Sequence, residues 1–289
     1  MTTSRTYTTD AVVLRIRQLG EKDRIVSLLS REHGKIPTVA KGARRPGSRL
    51  AATTQPFTFA QFALARGRNF DIITQVVIHD TFYALHTNLL ATACASCAME
   101  LLERALSERH AEPELFDLLM ETLRALVAGD NGEATLRWFE MRAAALLGYQ
   151  PELSACVRCG RQVEGGGSKI EDCGSNAPVQ NSLFASPAPA SILNHRSSIR
   201  YFSFNFGGVL CEDCRSFDLA AIRLGAGTLA TLQALSNSSA EQRRHLRIAD
   251  FMRGELTRVV DGWLEHRLEL RLKSHQLLNE VLRPAVKEI

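Results

Sequence analysis

The chain has 289 residues, 45 % hydrophobic and 23 % charged, the make-up of an ordinary soluble globular protein of about two domains. Met1 to Tyr7 lacks the apolar core of a secretory signal, and the most apolar stretch, Leu89 to Met99, is too short to span a bilayer, so secreted and membrane classes are set aside and a cytoplasmic chain is expected. The formal charge of +4 conceals an asymmetry: residues 1–80 hold 13 Lys and Arg against 6 Asp and Glu, and the remainder 22 against 25, which points to a polyanion-binding surface in the first quarter.

That first quarter reads as β structure. Ala11 to Ile16 is a strand-like run in which Val12, Leu14 and Ile16 share one face at period two. Arg24 to Ser30 follows, ended by His33-Gly34, then Ile36 to Ala40, which enters the loop Lys41-Gly42-Ala43-Arg44-Arg45-Pro46-Gly47. Phe57 to Leu64 and Phe70 to Ile78 flank a hairpin-type turn at Arg66-Gly67-Arg68-Asn69. Five strands in so few residues fit a closed Greek-key barrel of the oligonucleotide-binding (OB) type.

The period becomes helical from Thr81. Leu90, Cys94, Cys97 and Leu101 fall on one stripe. Glu112-Pro113-Glu114 opens a second helix with an apolar face of Leu115, Leu118, Leu119 and Leu126. Leu136, Phe139, Ala143 and Leu146 mark a third, ending at Gly148. Residues 151–215 carry two cysteine pairs separated by a Gly/Ser/Asn/Pro-rich insert, about 165–198, expected to be irregular. Helical patterning resumes near 216, with Leu264, Leu268 and Leu272 at four-residue spacing and Glu269 to Lys273 as a favourable i,i+4 pair. The expected architecture is α+β: a barrel at 1–80, a helical domain at 81–150 and 216–289, and a cysteine module inserted at 151–215.

Cys156-x-x-Cys159 and Cys211-x-x-Cys214 supply four thiolates, the donor set of a closed, structural zinc site. The spacer is longer than in common zinc ribbons, and the insert accounts for the excess. Cys173 is a rival ligand, but choosing it strands the second pair. Cys94-x-x-Cys97 sits on the apolar stripe and reads as two buried small side chains. For a partner the basic loop is the best surface: Lys35, Lys41, Arg44, Arg45 and Arg49 lie in a stretch without acids, and such cations release counterions from phosphates. Phe57, Phe59, Phe62 and Phe70 lie nearby, most of them expected to fill the barrel interior rather than stack bases.

Three catalytic signatures fail. Gly42-x4-Gly47-Ser48-Arg49 lacks the P-loop lysine. Gly225-Ala226-Gly227-Thr228-Leu229-Ala230 matches a loose dinucleotide fingerprint in a helical stretch with no strand before it. His110-Ala111-Glu112 with Cys156-x-x-Cys159 resembles a zinc deaminase, but Pro113 disturbs the required helix and the second cysteine pair is left without a role. No enzymatic activity is expected.

On three segments the sequence resembles a known family, the bacterial recombination mediator RecO: Gly34-Lys35 to Pro56, containing Val39-Ala40-Lys41-Gly42-Ala43-Arg44-Arg45-Pro46-Gly47-Ser48-Arg49-Leu50; Gly148-Tyr149-Gln150-Pro151-Glu152-Leu153 running into Cys156-x-x-Cys159-Gly160; and Phe204 to Cys214. Leu272-Lys273-Ser274-His275 is similar to a family segment that more often reads Lys-Ser-Arg. The resemblance implies an OB barrel, a helical domain and a zinc module in a nucleoid-associated bacterial protein. It implies binding of single- and double-stranded DNA, annealing of complementary strands, and help to RecA in replacing single-strand-binding protein (SSB). RecR and the acidic C-terminal tail of SSB are the implied protein partners. On this reading Lys41, Arg44, Arg45 and Arg49 meet phosphates, with Lys35, Arg66 and Arg68 as extensions, while Cys156, Cys159, Cys211 and Cys214 hold one Zn2+. The alternatives are a protein-interaction adaptor whose barrel only scaffolds and, remotely, a zinc-dependent nucleobase deaminase. The insert is long for the family, and some members lack the cysteines.

Overall fold

A computed structural model describes residues 5–163, 200–269 and 271–282; the insert at 165–198 and Cys173 lie outside the described residues. Five strands, β1 (Thr6–Leu19), β2 (Asp23–Ser30), β3 (Gly34–Ala40), β4 (Phe59–Ala65) and β5 (Asp71–Asp80), close into a barrel in the order β1-β2-β3-β5-β4. A short helix, α1 (Arg49–Thr53), joins β3 to β4. Closure comes from one parallel pairing, Thr38 with Asp71 and Val39 with Ile72; the other pairs are antiparallel.

The interior takes Ala11 and Val13 from β1, with Ile16 packed against them, and not the Val12–Leu14–Ile16 face that strict alternation predicts. The pairing with β2 slips between Val13 and Arg15. One extra residue there reverses the parity of everything after it. Val12 and Leu14 are therefore buried on the outer face, on the strand that a helix packs against. Phe62 fills the interior together with Val26, Leu28, Ile36 and Leu64.

Strand directions give the barrel two ends. Thr6 pairs with Ala65 at one, beside the turns that follow β2 and β4. Arg24 pairs with both Gln18 and Ala40 at the other, so the β1–β2 turn and the loop after β3 leave together there.

Helices α2 (Tyr83–Thr87), α3 (Leu89–Ala105), α4 (Pro113–Val127) and α5 (Gly132–Leu146) follow. Asn88 and Asn131 cap α3 and α5 by accepting from Ala91 N and Ala134 N at 3.0 and 2.9 Å, and Pro113 opens α4 at its first turn. Cys94 and Cys97 are buried in α3, and burial pushes the Cys94 thiol up to about 12, the reverse of what redox or metal chemistry needs. Leu146, expected on the apolar stripe of α5, is exposed. Among the described residues no helix is long and apolar enough to cross a membrane.

Beyond the insert come β6 (Arg200–Ser203), β7 (Gly208–Cys211), a single 3-10 turn at Glu212–Phe217 and β8 (Ile222–Leu224), which form a three-stranded sheet in the order β7-β6-β8. Helix does not begin near 216, and the Gly225 motif does have a strand before it. That strand is a three-residue antiparallel edge, so the phosphate-binding β-α-β context is still missing.

The chain ends with α6 (Ala226–Asn237), α7 (Ala240–Arg243), α8 (Asp250–Leu268) and α9 (Ser274–Leu282). The expected pairing of Glu269 with Lys273 does not form, because α8 stops at Leu268 and Glu269 takes a left-handed conformation, φ +53°. The amides of Lys273 and Ser274 donate instead to the Glu100 carboxylate, which returns α9 to α3. Two compact units result: residues 1–150 with 234–289, and residues 151–233.

Within the first unit the helical core contains a charge cluster. The guanidinium of Arg137 is fully buried and donates to Glu140 at 2.8 Å and Asp261 at 2.6 Å. His275 of α9 completes the cluster, with Nε2 at 2.7 Å from Glu140 and Nδ1 at 3.3 Å from Asp261. Two cations and two carboxylates balance in charge without a metal, and within the cluster Arg137 Nε is buried without a hydrogen-bond partner.

Candidate nucleic-acid interface and metal centre

The loop after β3 is built to display cations. Ala43 turns inward and is part of the barrel core. The Gly42 amide donates to Asp23 Oδ1 at 2.7 Å and the Arg44 amide to Lys22 O at 2.9 Å, which fastens the loop to the β1–β2 turn. One Arg44 nitrogen donates to Gly20 O at 2.7 Å. Ser48 then precedes α1, whose first residue is Arg49. Lys41, Arg44, Arg45 and Arg49 are exposed, and among the described residues none has a carboxylate within ion-pair distance. Main-chain amides anchor the loop while its cations carry no paired carboxylate, which is the arrangement a phosphate backbone needs.

The other three predicted cations are not brought to this loop. Lys35 lies at the start of β3, and its ammonium donates to Glu103 O at 2.6 Å. Arg66 and Arg68 lie in the β4–β5 turn at the same far end of the barrel, exposed, with Arg66 over the Tyr7 ring at 4.6 Å. A clamp around the buried Asp71 carboxylate fixes that end. Asp71 accepts from Tyr7 at 2.6 Å and from two Arg109 nitrogens at 3.0 and 3.2 Å. Burial and the Asp71 carboxylate together push the Tyr7 hydroxyl up to about 12, so it stays a donor.

The phenylalanines divide differently from expectation. Only Phe62 fills the interior. Phe57, held at φ +71° just before β4, and Phe59, which alternates outward, pack outside the barrel against His86 and against His79 and Phe116. Phe70 is exposed in its turn.

In the second unit, residues 152–163 dock on the β6–β7 hairpin. Glu152 N donates to Gly207 O, and Val209 N returns a bond to Glu152 O. Gly208 permits this approach, since a Cβ there would sit 2.2 Å from Glu152 O. Val157 N then reaches Val209 O at 2.9 Å, which sets the first cysteine pair beside the end of β7. Gly160, at φ +73°, turns the chain back so that its amide donates to Cys156 O.

The two pairs, with 51 residues between them in sequence, converge: the sulfurs of Cys156, Cys159, Cys211 and Cys214 all lie within 4.8 Å of one another. Cys159 and Cys211 are 3.8 Å apart, about the edge of a tetrahedron built on zinc–sulfur bonds of about 2.3 Å. Burial alone would raise the Cys156 thiol, but the amides of Cys211, Cys159 and Arg158 point at its sulfur and bring it down to about 6. Cys214 is pushed up to about 12 by burial and by the neighbouring sulfurs. Four thiolates are not stable so close together without a cation among them, and the donor set fits one.

Comparison with known proteins places the chain in a family. The family profile described as "Recombination protein O N terminal" matches residues 1–82, and "Recombination protein O C terminal" matches 86–186 and 191–276. The chain belongs to the RecO family. Its RecO relatives include the DNA repair protein RecO of Symbiobacterium thermophilum, 33 % identical over 96 % of this chain and 98 % of the relative. Those of Pelotomaculum thermopropionicum and Desulforudis audaxviator are 35 and 34 % identical over 94 and 95 % of this chain and 93 and 97 % of theirs. The N-terminal RecO domain is thus the OB-type barrel, and the interior break in the C-terminal match falls inside the long insert. Sequence reasoning about this RecO chain overlooked Asp23, whose carboxylate anchors the basic loop. In a Glu-Lys-Asp turn it carries no signal beyond surface charge; only strand pairing reveals it.

Proposed function

We propose that this RecO-family chain acts as a recombination mediator, not as a catalyst, and that the loop end of its barrel grips the phosphodiester backbone of single- and double-stranded DNA. The observation that carries the reading is the set of four exposed cations, Lys41, Arg44, Arg45 and Arg49, on a loop anchored through its main-chain amides, with no carboxylate among the described residues within ion-pair distance of any of the four. Annealing follows from the same physics. Two complementary strands repel as polyanions, and a surface that neutralises phosphates on each lowers the cost of bringing them together. Family membership supports RecR and the acidic C-terminal tail of SSB as protein partners, with the outcome that RecA is loaded where SSB had been.

Cys156, Cys159, Cys211 and Cys214 would hold one Zn2+ per chain. A closed four-thiolate set contributes folding energy and leaves no open position for a reacting water. Its task is to join residues 152–163 to the end of β7.

Fluorescence anisotropy with labelled single strands and duplexes across a salt series tests the DNA reading. Four phosphate contacts on a single strand give a slope of log K against log salt of about −3. A variant with Lys41, Arg44, Arg45 and Arg49 all replaced by Ala is expected to lose most of this slope and of the affinity. Unchanged binding by that variant rejects the loop assignment, and negligible binding by the wild type at low salt points to a protein-interaction adaptor.

A further inference from the structure

Resting on the DNA-binding reading and deepening it, we propose that Tyr83 and His86, in ring contact in series with Phe57, form the surface on which bases of single-stranded DNA stack. The His86 ring lies 5.2 Å from that of Phe57 and 6.5 Å from that of Tyr83, centroid to centroid. Residues three apart on a helix share a face, so α2 presents both rings together. Phe57 is buried and acts as the base of the series; Tyr83, 72 % exposed, is its open end. An aromatic face offered to water at the edge of a cationic surface suits a nucleobase, because every base has a face to stack and no sequence need be read.

The rings sit at the same end of the barrel as the basic loop. Phe59, the first residue of β4, pairs with Asp80, the last of β5. Phe57 precedes that pair by two residues and Tyr83 follows it by three. The link to the cations is short. Arg49 and Thr53 are one helical turn apart, joined by a Thr53 hydroxyl bond to Arg49 O, and Phe57 lies four residues on. Arg49 is therefore within about 20 Å of the Phe57 backbone. A strand whose phosphates lie on the loop reaches the rings within a few nucleotides.

The backbone supplies an independent observation. Phe57 and Phe82 both have positive φ, 71° and 47°, in a region that bulky residues avoid. Each is held by a specific bond: Phe57 N to Val13 O at 3.1 Å, and Phe82 N to Asp80 Oδ1 at 2.7 Å. The first fixes the ring beneath His86. The second turns the chain out of β5 so that α2 stands at the barrel rim. Strained bulky residues at the base of the ring series, Phe57, and beside its open end, Phe82 next to Tyr83, fit a surface kept for contact with a ligand.

The test uses the full chain and oligonucleotides carrying one 2-aminopurine, whose emission falls when it stacks. Tyr83→Ala is expected to weaken single-strand binding about five- to hundredfold and to restore emission. Tyr83→Phe should bind like wild type. Duplex affinity and the salt slope should not change, since paired bases are already stacked and no cation is removed. Tyr83 is so exposed that the alanine variant should fold normally, and its melting temperature is the control. Single-strand affinity and emission unchanged in both Tyr83→Ala and His86→Ala overturn the proposal; if the four-alanine loop variant still loses binding, the DNA reading stands without it. Equal weakening on single strand and duplex also overturns it, and a wild type that binds neither removes both readings.

Discussion

His275 Nε2 lies 2.7 Å from Glu140 Oε1, across 135 positions of sequence, and through this contact the last described helix is keyed into the helical core. Burial disfavours a charged imidazole, but the carboxylates of Glu140 and Asp261 outweigh it and raise the pKa to about 9, from 6.5 for a free histidine. A pKa raised on folding means that the native state holds the proton more tightly. The associated stability is fully present below pH about 6.5 and is lost as pH rises through about 9. Arg137, the other cation in the cluster, stays charged throughout.

The first unit should therefore weaken by roughly 2–3 kcal/mol between pH 6.5 and 9.5. Both tryptophans, Trp138 and Trp263, belong to that unit, so urea titrations followed by tryptophan emission report on it. His275→Gln should be less stable at pH 7 and show a flatter alkaline profile. Parallel profiles for variant and wild type would refute the assignment.

Arg137→Met removes the buried cation and leaves Glu140 and Asp261 facing each other with only His275 between them. The expected loss is about 3–5 kcal/mol. Adding Asp261→Leu should recover part of it, because the second substitution removes a carboxylate that no longer has its partner. A double-mutant cycle with no coupling would show that Arg137 and Asp261 do not belong to one network.

Purified protein should contain about one zinc per chain by elemental analysis, and Cys156→Ser with Cys211→Ser should abolish it. Chelation should expose the amides of 152–163 and 208–214 to hydrogen exchange while tryptophan emission stays constant, since neither tryptophan is in the second unit. Metal-free protein with those amides protected would reject the site.

The cations at the two ends of the barrel should separate in a salt series. Each alanine at Lys41, Arg45 or Arg49 should reduce the single-strand slope by about 0.7. Lys35→Ala should leave the slope unchanged and lower the melting temperature, since its ammonium bonds to Glu103 O. The reverse pattern would place the DNA at the far end.

The barrel was legible because its turns are chemically explicit: His33-Gly34, the basic loop and Arg66-Gly67-Arg68-Asn69 each interrupt an apolar run. The convergence of the four cysteines was legible from two C-x-x-C pairs, each spaced so that both sulfurs can reach one ion. The slip between Val13 and Arg15 was not, because one extra residue within an apolar run has no composition of its own. Arg137 and Glu140 read as the solvated face of a helix, and only packing by α8 and α9 buries them. The break after Leu268 was hidden because Glu269, not glycine, takes the left-handed turn, and β6 to β8 are too short to show a period.

The separation of the two cysteine pairs has a consequence for biosynthesis. At about 5–20 residues per second, Cys211 and Cys214 are made several seconds after Cys156 and Cys159. For that interval the nascent chain carries half a chelate, two thiols able to take a metal ion or an oxidant but not to close around it. Residues 152–163 have no β6–β7 hairpin to dock on until the same moment, so the second unit can bring its four sulfurs together only late, after every strand of the barrel has been made.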